Sequence, residues 1–562
     1  MNPNDLPSEE KTPETIPNTP PVYAPYQQKS VRPAPYALDR SDRIFAAVLL
    51  VLSIFSVSAG VWGGFAAGFT AAFILVFSAF TFYLARKGTP LGFYPILCGV
   101  LSVVLSAVFV TTSDLLVRFC SVIVMALTST VWFCALGEKN IPDRESGLAE
   151  RLINQYFKSL SRIPKSLRSL FVSDDPRVKK TSAILLGIAC ASPLLCAVIT
   201  LLMRSDAAFE GLIRHIFSDV GNTAAQIILA LLLFPCFLSF GFYTKKDEDE
   251  TKERHAFKGI DTAFIASFIG LLSVSYIAYL FSQLAYFFSA FSGILPDGYA
   301  FSYADYARRG FFELCGIAAI NMAVQYLTLL LSRKKDEKLP VILRVLCTFV
   351  GVFTLLLIAT AIAKMVLYIR RYGVTVLRLG TSSFMIFMAV VFIAMLLRLY
   401  LRRVRVLPVA LATAAVILSV LGIGNIRHFA AQYNYNAYES GKIKKIDTDY
   451  LRQLGDEGVP YLIKLTRCKD SEVASRACGE LCLEVERLYK GEYREVGSKE
   501  YEFPLEYLIP KEKEFGAASN FNIPRQKAYE QLDDFLSKNK TFLKDHVEER
   551  MQAFDTANDI YY

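Results

Sequence analysis

Five residues carry the clearest chemistry in this chain: Tyr306, Arg309, Glu313, Tyr372 and Arg378. Three of them stand in the run Tyr303-Ala304-Asp305-Tyr306-Ala307-Arg308-Arg309-Gly310-Phe311-Phe312-Glu313-Leu314. Arg309 and Glu313 have the spacing that puts two side chains on one helix face, where they can pair. Glu313 falls near the hydrocarbon boundary of an apolar run, where an unpaired carboxylate is costly. Tyr372 and Arg378 belong to a second polar segment, Lys364, Tyr368 and Arg370-Arg371-Tyr372-Gly373-Val374-Thr375-Val376-Leu377-Arg378, and Arg118 is a further cation. A planar guanidinium fork matches phosphate. Arginines converging from separate helices would therefore suit an anion: a phospholipid headgroup, a lipid-linked phosphate or an anionic envelope polymer. The plainer reading is that each residue anchors its own helix at the interface by snorkelling and salt bridging. A membrane-embedded transferase would want a carboxylate base, and Asp305 and Glu313 are of that type.

Other chemistry is poorly supported. No G-x-x-x-x-G-K-[ST], H-E-x-x-H or paired C-x-x-C occurs, and His215, His255, His428 and His546 are scattered. ATP hydrolysis lacks its phosphate-cradling loop, and a zinc or catalytic histidine cluster lacks its ligands. No cofactor and no metal is expected, and an enzyme is not the favoured reading. Cys468, Cys478 and Cys482 allow core packing, a disulfide or, without a nearby histidine, a poor metal site.

The elements that position these residues are membrane spans. The chain has 562 residues, 53% of them hydrophobic, and a mean hydropathy of +0.35. Apolar stretches about one bilayer long fill it from roughly 44 to 427. Eleven spans are expected, at about 44–62, 64–85, 91–112, 115–136, 181–203, 223–243, 260–288, 311–331, 341–368, 379–401 and 406–427. Gly60, Gly64, Gly68 and Ala72 recur where the first two meet and suit close helix packing. The stretches 260–294 and 341–370 exceed a bilayer, and tilting or an interfacial extension absorbs the excess.

Charge orients the spans. Alternating loops carry 25 Lys and Arg on one side against 7 on the other. The basic side is cytoplasmic by the positive-inside rule, so the N-terminus is expected inside and the C-terminus outside. From His428 onward there are 20 Lys and Arg and 25 Asp and Glu, a net −5, which leaves +14 of the total +9 on the remainder. These basic residues flank spans, a pattern that suits anionic headgroups and not nucleic acid.

Three regions follow. Residues 1–39 hold nine prolines and no apolar run, and are expected as a disordered cytoplasmic tail. Residues 40–427 form the transmembrane helical domain. Residues 428–562 form an extracytoplasmic, mainly helical soluble domain. In the latter, Ile446–Leu451 opens a short helix stopping at Gly455, followed by helices over Pro460–Leu465 and Ser471–Tyr489, with Asp470 or Ser471 as N-cap. A last charged helix is expected at about 525–553. One helical hairpin cannot bury its own face, so it must pack on neighbours or on the bundle. Between spans four and five, Leu148–Phe171 is a basic amphipathic segment interrupted at Pro164, suited to the inner leaflet. The fold class is therefore an all-α polytopic membrane bundle with a mainly helical C-terminal domain.

Three motifs resemble a known family. They are the Tyr303–Leu314 run, the Tyr372-Gly373-x-Thr375-x-x-Arg378 segment with Met365 and Tyr368 before it, and Asn434–Tyr438 followed by Asp447-x-Asp449-Tyr450-Leu451 and Val459-Pro460-Tyr461-Leu462. Together they resemble the bacterial multi-pass membrane family called domain of unknown function 4173, related to the 4153 type. The likeness covers roughly 90–490. Val459 departs from the small residue usual before the proline turn. The resemblance implies an inner-membrane location and brings no activity, substrate or catalytic residue.

Two functions from different classes fit. One is an envelope sensor or scaffold presenting its outer domain to a protein partner. The other is a transporter or lipid-handling protein using the Tyr306, Arg309, Glu313, Tyr372 and Arg378 cluster on an anionic lipid or envelope polymer.

Overall fold

A computed structural model describes residues 35–85, 92–137, 145–171, 198, 201–202, 205, 220–246, 260–292, 311–332, 339–401, 403–490, 494–496, 500–502, 509–510, 521–546 and 549. Among them, ten helices are long and apolar enough to cross a membrane. The protein is an all-α, multi-pass membrane protein. The expected span at 181–203 lies outside the described residues except at Val198, Leu201 and Leu202.

Helix α1 (Arg40–Phe55) continues through a π-helical turn, Ser56–Val61, into α2 (Ala67–Leu84). Next come α3 (Phe93–Ser106), resumed over Val108–Thr111, and α4 (Leu115–Leu136). Two shorter helices, α5 (Glu145–Ser161) and α6 (Ile163–Phe171), precede α7 (Val220–Lys246). Then follow α8 (Thr262–Ser292), α9 (Phe311–Leu331), α10 (Val341–Tyr372), α11 (Val376–Tyr400) and α12 (Val406–Ile423). At 31 and 32 residues, α8 and α10 reach about 46–48 Å, well beyond the ~30 Å hydrocarbon core. Each stays one unbroken helix. The last span was expected to reach 427 but stops at Ile423, because Asn425 turns left-handed (φ 47°) and caps the next helix through His428 N.

Lipid tails supply no hydrophobic drive between helices, so shape and internal hydrogen bonds hold them together. Phe45 stacks on Tyr83 (3.7 Å between centroids) inside a cluster with Phe80, Phe133 and Phe242 that joins α1, α2, α4 and α7. A second cluster packs Met385, Met388 and Phe392 of α11 against Leu343, Val350 and Leu357 of α10, with α8 and α9 around them. Helix α12 touches α3, α4 and α11, and so bridges the two groups. Buried and half-buried polar ties also join the helices. Ser102 bonds Thr128 (2.7 Å), Tyr276 donates to Asn321 (2.6 Å), and Asn321 donates to Thr354 (2.9 Å). Each such tie contributes about 0.6–2 kcal/mol in a membrane.

The helices share two ends. At the lysine end, Lys245 (3.3 Å) and Lys246 (2.5 Å) of α7 pair with buried Asp42 of α1, which also accepts from Tyr83 OH of α2 (2.9 Å). The packed chain begins before Arg40: Tyr36 is buried, its N–H donates to Ser169 of α6 (2.7 Å), and Lys165 sits 3.8 Å over its ring. Pro164 opens α6 at a position where its missing N–H is not needed, which explains the break between α5 and α6. The amphipathic segment has two apolar faces. Leu148, Leu152, Gln155 and Ser159 are buried, with Gln155 donating to Thr244 (2.7 Å), while Ile153, Phe157 and Leu160 stay exposed.

At the opposite end, here the cap end, the chain after α12 folds over the helix hairpins. It comprises α13 (Ile426–Glu439), α14 (Thr448–Gln453), α15 (Val459–Leu465), α16 (Ser471–Leu488) and α17 (Ile523–Lys538). Small strand pairs, Tyr489–Lys490 with Ile509–Pro510 and Arg494–Val496 with Glu500–Glu502, accompany them. Asp470 is the N-cap of α16, accepting from Glu472 N and Val473 N. Leu451, Leu462, Leu481, Val485 and Leu532 build one core among these helices. Cys478 and Cys482 pack into it, and Cys468 is a free thiol beside it. The last charged helix is shorter than expected. It ends at Lys538 because the polar run Ser537–Thr541 offers nothing to continue the buried stripe Ala528, Leu532, Phe535 and Leu536; a single turn, Phe542–Asp545, follows.

Candidate functional site at the junction of bundle and cap

Three hairpin tips of the bundle meet the cap. The first is the turn between α10 and α11. Gly373 has φ 78° there, a conformation that favours glycine. Asn434 of α13 clamps the next residue: its side-chain oxygen accepts from Val374 N (2.8 Å) and its amide donates to Val374 O (2.7 Å). A Cβ on Gly373 would come within 2.5 Å of the Asn434 oxygen. Tyr450 of α14 accepts from Val376 N (2.8 Å).

The second tip joins α3 to α4. Asp114 caps α4 by accepting from Val117 N (3.0 Å) and also pairs with Arg427 of α13 (3.2 Å). Ser113 donates its hydroxyl to Glu457 (2.9 Å). Arg118 donates to Thr112 O (2.9 Å) and Phe109 O (3.1 Å), which ties the end of α3 to α4. Asn522 donates to the same two carbonyls (3.3 and 3.4 Å). The third tip joins α1 to α2, where Ala67 N donates to Phe521 O (3.1 Å).

Behind these contacts lies a buried ionic network. Asp456, Glu457, Glu480 and Glu484 are each at most 6% exposed. Arg487 pairs with Asp456 (2.6 Å) and Glu484 (2.7 Å), and Arg525 reaches Asp456 (3.4 Å). Arg452 pairs with Glu480 (2.5 Å) and Asp449 (2.8 Å). Burial pushes the Glu457 and Glu484 carboxyls up from their ordinary value. Burial raises Glu480 to about 7, against the pull of Arg452. Buried charges of this kind are held only by partners, so the network fixes geometry. It offers no nucleophile beside a base. Among the described residues, no three His, Cys, Asp or Glu side chains are grouped to hold a metal.

Of the residues singled out from sequence, Tyr306 and Arg309 lie outside the described residues. Glu313 is exposed in the first turn of α9. Tyr372 ends α10, 45% exposed. Arg378 lies beside it, donating to the carbonyls of Tyr372 (3.1 Å) and Gly373 (2.5 Å) and covering the Tyr368 ring (4.2 Å). Tyr372 and Arg378 therefore meet at one helix end, where the arginine satisfies carbonyls that α10 leaves open. The sequence analysis named Asn434 only within a motif and did not single out Asp114, Arg427 or Glu457. One signal was present for the helix that carries two of them: Ile426, Ala430, Ala431, Asn434 and Ala437 recur at helical spacing and are all buried.

The family model described as Domain of unknown function (DUF4153) matches residues 96–465. No curated protein matches the chain, and no solved structure matches it.

Proposed function

The chain belongs to the DUF4153 family, and on that footing we propose that it is an envelope sensor or scaffold whose cap is presented to a protein partner outside the cytoplasm. The observation that carries this reading is the fastening of the cap to three hairpin tips by Asn434, by Arg427, Glu457 and Asn522, and by the Phe521 carbonyl. A domain so tied moves with the helices beneath it. The orientation rests on the loop charges, 25 on the lysine side against 7 on the cap side. Kinship with the 4173 type, read from the three motifs, belongs to the same proposal.

The lipid-handling alternative places an anion among Tyr306, Arg309, Glu313, Tyr372 and Arg378. Arg378 already gives its guanidinium to two carbonyls and a ring, which supports helix anchoring for that residue. Photocrosslinking amino acids at Glu472 and Arg476, on the exposed side of α16, test the scaffold reading in native membranes. A discrete protein adduct from either site is expected. Adducts to lipid alone, or none from both sites, would reject it.

A further inference from the structure

A cluster on the cap is not used by the contacts above. His428 stands in the first turn of α13, and its ring faces Tyr461 of α15 with centroids 5.7 Å apart. Tyr435, two turns along α13, faces the same ring at 5.6 Å. Lys464 places its ammonium between the tyrosines, 5.2 Å from the Tyr435 centroid and 5.0 Å from that of Tyr461. Lys527, exposed near the start of α17, is close enough for its charge to bear on His428.

Two features make this more than a solvated face. First, burial holds the His428 imidazole below its ordinary value, and the charges that add to this, Lys527 and Lys464, are positive. The carboxylate Glu439 bears on Tyr435. Converging cations repel one another, and an anion relieves that repulsion. Second, the cluster sits five residues past the end of α12. That helix exposes Val416 (49%), Val420 (67%) and Ile423 (44%) along one face, and Phe429 (47%) follows in the first turn of α13. An apolar row on α12 thus leads along the chain toward the cationic, aromatic cluster.

We propose that His428, Lys464 and Lys527, walled by Tyr435 and Tyr461, bind the phosphate of an anionic headgroup at the cap-end membrane surface. Lysine ammonium groups and an imidazole N–H donate to the phosphate oxygens, and the rings exclude water beside them. The apolar row favours a phospholipid over a soluble phosphate. The inference stands independently of the scaffold reading, because it concerns a site that no partner protein has to share.

The test uses the full chain in neutral detergent, with phosphatidylglycerol binding followed by native mass spectrometry. Lys464→Gln combined with Lys527→Gln should weaken retention by about tenfold, the loss expected from two charge-assisted contacts. Both lysines are exposed, so an unchanged melting temperature in neutral detergent confirms that the variant is folded. Glycerol 1-phosphate distinguishes the sources. Failure to displace the lipid assigns the site to a phospholipid, and full displacement assigns it to the phosphate alone. Equal retention of phosphatidylglycerol by the folded variant and the wild type would overturn the proposal.

Discussion

Arg427, in the first turn of α13, pairs with Asp114, the N-cap of α4, across 313 positions of sequence (3.2 Å). The pair joins the start of the cap to a hairpin tip of the bundle. Asp114 is 5% exposed, so removing Arg427 leaves a buried carboxylate with fewer partners. In a double-mutant cycle with Asp114→Ala and Arg427→Ala, we expect a coupling of about 1–3 kcal/mol, read from unfolding of the full chain in detergent. Strict additivity would mean that the contact carries no coupling.

Asn434 satisfies both backbone groups of Val374 at once. Asn434→Ala leaves a buried N–H and a buried C=O without partners, which costs about 2–4 kcal/mol. Hydrogen exchange at the Val374 amide should accelerate with it. Protection there equal to wild type would show that the clamp is dispensable.

The legibility of this protein divides along physical lines. Spans were readable because a bilayer imposes a length and an apolar composition on each helix, as in Val406–Ile423. The short helices around Thr448, Val459 and Ser471 were readable from their caps and apolar stripes. The ties at the cap were not. Asp114 reads locally as an N-cap and Glu457 as a surface acid, and only the fold brings them to Arg427 and Ser113. Arg378 was legible as a cation at a helix end, but its commitment to the Tyr372 and Gly373 carbonyls was not, because a carbonyl leaves no mark in the sequence.

Acidity should act through Glu480. Burial lifts its carboxyl from 4.5 to about 7, so between those values the folded chain holds a proton that the unfolded chain releases. The stability from protonated Glu480 is present at low pH and is lost as pH rises through about 7. Glu480→Gln removes the titration. Its unfolding midpoint should vary less than wild type between about pH 5 and 8, and at the upper end it should be at least as stable. An unchanged pH slope in the variant would contradict this.

Helix direction constrains the chain between α6 and α7. Ser166 of α6 bonds Ser239, near the lysine end of α7, whereas α7 begins at Val220, toward the cap end. The apolar stretch 181–203 is the span expected between them. In a background with native cysteines replaced by alanine, Cys at Ser205 should react with an impermeant maleimide from outside. Cys at Lys179 should react only after permeabilisation. Labelling of both from one side would refute the crossing.

The central claim is that the cap lies outside the cytoplasm, on the side opposite Lys245 and Lys246. A reporter active only in the cytoplasm, fused after Tyr562 of the full chain, tests it most directly. Silence of that fusion, with an export-dependent reporter active at the same position, is the expected result. Robust cytoplasmic activity would contradict the orientation and, with it, the presentation of the cap to an envelope partner.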